Sequence, residues 1–177
     1  PIMADETTLI PMANQLLTCL CDLLDTYPNP PANCCLRTGD LTIQDVDGDS
    51  ALDKVCCPGL AYVRIGNMYP SSTFPLPDTE PAKGNGCFPV SWAVELTLGV
   101  VRCVPGMGSN AGPSCTDWTA AAQTDANDME AMRKALCCWG PLLPRGRLWL
   151  AGTSTVNLTA DCIERSMPVL VGLPRCC

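Results

Sequence analysis

The sequence predicts an α+β domain: a mostly antiparallel sheet packed by two helices, in the order α-β-β-β-α-β-β. Three observations carry this expectation. Two segments repeat apolar residues every three or four positions, the spacing of a half-buried helix. Several others alternate at period two between turn residues, as strands do. The chain has 177 residues and is 47% hydrophobic, enough to bury one core. A single domain over 11–177, preceded by a non-periodic arm over 1–10, is the simplest organisation.

The first helix is read from Pro11, where PMANQLLTCLCDLLDTY sets Leu16, Leu20, Leu23, Leu24 and Tyr27 on one face. Proline suits a first turn, and Pro28 with the following NPP stops the run. NCCLRTG is a short strand. The polar stretch after it is a loop, and LAYVRIGNMYP is a second strand with a bulge. Residues 69–89 hold five prolines and two glycines; a loop this long in a compact domain is usually functional. Its apolar residues Phe74, Leu76 and Phe88 are candidate partner contacts, because buried aromatics are common interface anchors.

The third strand, WAVELTLGVVRCV, is the longest. Thirteen alternating residues span about 44 Å at ~3.4 Å each, more than one small core covers. The second helix is capped by Thr116 or Asp117. It carries a core stripe of Trp118, Ala122, Met129, Met132, Leu136 and Trp139, broken only by Asp125, and ends at Gly140-Pro141. RLWLAGTSTVNLT and SMPVLVGLP close the sheet, the latter with Pro168 at an edge or bulge. The triplet Asn157-Leu158-Thr159 fits the N-glycosylation pattern, but it lies in a strand and is set aside.

Composition narrows the function. The net charge is −7, and no basic run exists to grip phosphates, so nucleic-acid binding is not expected. No apolar stretch is long enough for a membrane-spanning helix, and the acidic start lacks the pattern of a secretory leader. The absence of histidine removes Ser-His-Asp and Cys-His catalysis. No other catalytic motif replaces them, and the chain is read as a non-enzyme.

Fourteen cysteines include four adjacent pairs and no C-x-x-C knuckle, which argues against zinc. Cys137 and Cys138, inside a helical pattern, read as small buried hydrophobes. Cys34, Cys35, Cys56, Cys57, Cys87, Cys103, Cys115, Cys162, Cys176 and Cys177 are disulfide candidates, with adjacent members bonding to different partners. No cofactor is expected, with one exception to weigh. In DVDGDSALD, Asp45, Asp47, Asp49 and Asp53 take positions one, three, five and nine of an oxygen-rich calcium loop. Gly48 comes early and Cys56 stands where a calcium loop wants Glu, so a solvated acidic loop is the plainer reading.

The element order over roughly Met12 to Leu173 resembles the tail-terminator (tail-completion) proteins of long-tailed bacteriophages. WAVELTLGVVRCVP, a loop, and then DANDMEAMRKALCCW carry most of the likeness. The resemblance implies a structural virion protein made in the host cytoplasm. It would form a hexameric ring in the neck, cap the tail tube, join it to the head-completion protein, and leave a channel through which DNA only passes. In such a ring, neighbours cover the overlong strand, with Trp92, Glu95 and Thr97 at the subunit interface or channel. The alternatives are the adjacent head-completion (stopper) ring protein and a secreted disulfide-rich module.

Overall fold

In the computed structural model the described residues are 9–38, 57–79, 91–105, 112–143, 147–152, 155–159 and 162–173. Helix α1 (Leu9–Leu24) is followed by strands β1 (Asn33–Thr38), β2 (Leu60–Pro70) and β3 (Trp92–Cys103). Helix α2 (Cys115–Trp139) and a 3-10 turn (Gly140–Leu142) come next. Strands β4 (Leu148–Leu150), β5 (Thr155–Thr159) and β6 (Cys162–Leu173) complete the chain. This is the expected α+β domain, with the last strands resolved more finely than the sequence suggests.

The sheet runs β1-β2-β3-β6-β4, with β5 also on β6. β1 and β2 are parallel; every other pair is antiparallel. RLWLAGTSTVNLT is therefore two short strands along one edge of β6, and Pro168 is the reason. Its carbonyl accepts from Ala151 N–H, so its missing N–H faces the same neighbour. The ladder loses a donor there, and the partner strand breaks between Leu150 and Thr155.

Both helices lie on one face of the sheet. Leu16, Leu20 and Leu24 of α1 and Met132, Leu136 and Trp139 of α2 meet Val63, Val94, Leu96, Leu98, Val100, Val169 and Val171 in one core. α1 begins two residues before Pro11, which sits in the first turn where its missing N–H is not needed. The two helices run antiparallel: Trp139 Nε1–H donates to the Met12 carbonyl, and Lys134 reaches the Tyr27 hydroxyl.

α2 is capped earlier than expected. Ser114 is the N-cap; its hydroxyl accepts from Asp117 N–H, and the Asp117 carboxylate accepts from Ser114 N–H, a reciprocal capping box. Of the apolar stripe, only the later part is core. Trp118 is 47% exposed and Ala122 is exposed, whereas Trp139 is fully buried. α1 ends opposite the middle of α2, so the first half of α2 has no helix to pack against. This corrects the reading of Trp118 and Ala122 as core.

The long strand is buried by its own chain. β6 pairs with all twelve residues of β3, and β2 pairs along the other edge with a bulge between Ile65 and Met68. On the face away from the helices, Tyr62 lies across Gly99; a Cβ there would stand 2.2 Å from the phenol ring. Tyr62 donates to Glu164. Leu60, Tyr62, Val101 and Cys162 form a second, smaller apolar cluster on that face.

Candidate functional site

Where α1 has ended, a cleft of about 210 Å³ opens between the free half of α2 and the ends of β3 and β6. Its polar content is organised by two ion pairs. Alternation along β3 and β6 turns Arg102 and Arg165 toward the helices. On α2, Asp125 and Asp128 are three residues apart, hence on one face. Arg102 grips Asp128 with both Nε and Nη2, at 2.9 and 2.7 Å, and its Nη1 donates to the Asn29 carbonyl at 2.9 Å. Arg165 makes the matching two-point contact with Asp125.

Asn29 has φ of 61°, in the left-handed region where asparagine is one of the tolerated residues. Gly59, at φ of 80°, leaves room beside it: a Cβ there would come within 2.9 Å of Pro31 and 3.1 Å of Arg102 Nη1. Burial pushes the Asp128 carboxyl up from its ordinary range, and the hydrogen bonds from Arg102 only partly offset this.

The walls are apolar where they are not ionic, with Val100, Ile163 and Ala121 among them. Cys57 and Cys103, at the rim, are bonded to each other. The Nε–Nη2 edge of each guanidinium is occupied by a carboxylate.

The sequence-predicted residues fall elsewhere. Phe74 is half-buried near Gly172 of β6, and Leu76, bridged to Thr73 across a tight turn, is 64% exposed. That turn is tied by Tyr69 Oη to the Pro75 carbonyl, by Ser71 Oγ to the Leu76 carbonyl, and by Ser72 to the Asp78 carboxylate. Trp92 and Glu95 are half-buried. Thr97 is only 5% exposed, with Arg64 Nη2 3.4 Å from its hydroxyl; its own chain covers it, so it offers no surface to a neighbour or channel. Asp45, Asp47, Asp49, Asp53, Phe88, Cys56, Cys87, Cys176 and Cys177 lie outside the described residues, as does the arm up to residue 8. Among the described residues, no group of three or more His, Cys, Asp or Glu side chains is placed to hold a metal ion, and no helix is long and apolar enough to cross a membrane.

Three disulfides are described. Cys19–Cys138 joins α1 to α2, Cys21–Cys34 joins α1 to β1, and Cys57–Cys103 joins the approach to β2 to β3; Cys162 is also disulfide-bonded. The reading of Cys138 as a buried thiol is corrected: it faces α1 at the helix surface, where Cys19 meets it. Cys137, one helical step round, is exposed and free. Cys35 and Cys115, both disulfide candidates, are free thiols too. Alternation explains Cys35: Cys34 points to α1, so its neighbour points to the opposite face. Cys115 begins the exposed half of α2.

Of the four charged residues of the cleft, sequence reasoning singled out only Asp125, as the polar break in the α2 stripe. That break was the available signal, and Asp128 one turn later repeats it. No protein-family model and no curated protein matches the chain.

Proposed function

We propose that the protein is a structural component of the head–tail neck of a long-tailed phage, a ring subunit that closes the tail tube and joins it to the head-side ring. The observation that carries this reading is the order α-β-β-β-α-β-β, with two helices on one face of a sheet built round a long central strand. That is the arrangement implied by the resemblance of 92–105 and 125–139 to tail terminators.

Two further features support an assembly role. Large apolar side chains remain exposed on separate parts of the chain, at Trp118, Leu76, Leu142, Trp149 and Leu150, as subunit contacts require. The disulfides pin both helices, which suits a component that must stay folded outside a reducing cytosol. The long strand keeps its place as the spine of the subunit, with Glu95 and Trp92 at its accessible positions. The stopper ring of the same neck is the nearest alternative.

Gold-labelled antibody against the protein, applied to tailed particles, tests the reading. Label at the head–tail junction is expected, and particles lacking the protein should separate into heads and tails. Label elsewhere on the particle, or none, would overturn the assignment.

A further inference from the structure

We propose that the cleft beneath the free half of α2 receives Trp149 from a second copy of this chain, joining subunits head to tail. The inference rests on the ring reading above and assigns its contact. The donor is Trp149, 54% exposed; Leu150 beside it, 59% exposed, points to the opposite face of the sheet. Trp149 and Leu150 belong to β4, whose only sheet partner among the described residues is β6. An edge strand carrying exposed Trp and Leu is what a solitary protein avoids, and what an interaction surface uses.

The receiving cleft matches that side chain in size and chemistry. A cavity of about 150 Å³ accepts a benzene ring; 210 Å³ leaves room for one indole. Val100, Ile163 and Ala121 offer apolar walls. The edges of Arg102 and Arg165 are held by Asp128 and Asp125, so an incoming ring meets a guanidinium over its face. That is the geometry in which a cation attracts an aromatic ring, and tryptophan is the strongest partner. Trp118, about one turn of α2 before Ala121, remains 47% exposed.

A subunit's own Trp149 is poorly placed to fill its own cleft. It pairs with Leu170, on the face of the sheet away from the helices, whereas the cleft meets β6 at Ile163 on the helix side. Seven residues of strand separate the two, about 24 Å at ~3.4 Å per residue. Knob and hole therefore occupy different surfaces, as a head-to-tail contact requires, and such a contact closes into a ring where the rotation between successive subunits allows it.

Two variants test the contact: Trp149→Ala removes the knob, and Ala121→Phe fills the hole, with Thr124→Phe as a second filler should the first misfold. Trp149 is 54% exposed, and Ala121 and Thr124 are partly exposed at the cleft wall, so circular dichroism should match the wild type. Light scattering should find each variant monomeric, with assembly weakened on the order of 100-fold, and Trp149→Phe should recover part of it. An equimolar mixture of Trp149→Ala and Ala121→Phe keeps one sound knob and one sound hole, and should stop at a one-to-one dimer. Variants that assemble like the wild type would overturn the contact while leaving the ring reading intact. A wild type that is monomeric at every concentration would remove both.

Discussion

Arg102 satisfies three partners at once: two oxygens of Asp128 on α2 and the Asn29 carbonyl in the turn after α1. It thereby fixes the end of the cleft and the path of the chain into β1. Removing it leaves a carboxylate that is 2% exposed without a counter-charge. Arg102→Ala should therefore cost about 3–5 kcal/mol at neutral pH, the usual penalty for breaking one side of a buried pair. The pH dependence has a definite sign. Burial raises the Asp128 pKa above its unfolded value, so the folded state binds that proton more tightly; the resulting stability is complete below the unfolded carboxylate value and is lost as pH rises through the higher, folded one. Without Arg102 this tendency grows, and the deficit of Arg102→Ala should be smaller at pH 5 than at pH 7. Urea melts at the two pH values check it; a deficit that does not change with pH would mean that Asp128 is not the charge left stranded. At this scale little of the site was legible in advance. Asp125 announces itself as a polar residue on an apolar stripe, but its partner Arg165 is 40 residues away. No local pattern names a partner across that distance.

At the scale of the element, α2 is two helices in one. From Asp128 onward its inner face is core; before that it is held by its capping box and by the Asp125–Arg165 pair. Ser114→Ala should cost about 1 kcal/mol, and amide exchange should locate the loss in the first turns. Hydrogen bonds from Ser114 lower the Asp117 pKa. Its contribution is therefore present above the unfolded carboxylate value and fades as pH falls through the lower, folded one, so this end should loosen first under acid. The two tryptophans at the ends of the stripe should part company. Trp139→Ala, in the core, should lose about 3–5 kcal/mol; Trp118→Ala should stay within about 0.5 kcal/mol in the separated subunit. Equal losses would contradict the division of the helix. Local periodicity made both helices and the long strand readable, because period 2 and period 3.6 are written in consecutive residues. Which part of a stripe meets a partner depends on where α1 stops, and the split of β4 from β5 depends on Pro168 in another strand. Neither is written in the segment it affects.

At the scale of the whole molecule, the disulfides tie the layers together. Cys19–Cys138 spans 119 residues, and closing a loop near that length stabilises by roughly 4–5 kcal/mol in the chain-entropy picture. Reductant should lower the melting temperature strongly, and alkylation of the native protein should reach Cys115 and Cys137 before the half-buried Cys35. Resistance of all three to alkylation would place them in bridges or contacts beyond those described. The same whole-molecule view governs assembly. Each copy carries a net charge of −7, so the charge of a ring grows with every subunit added, and screening that repulsion should strengthen association as salt rises toward physiological levels. Native mass spectrometry of the wild-type protein, sprayed from solutions of increasing ionic strength, puts the ring itself to the question. One closed species at six times the monomer mass, favoured by salt, is the expected result. A monomer at every concentration and salt, or an open ladder of oligomers with no preferred size, would contradict it.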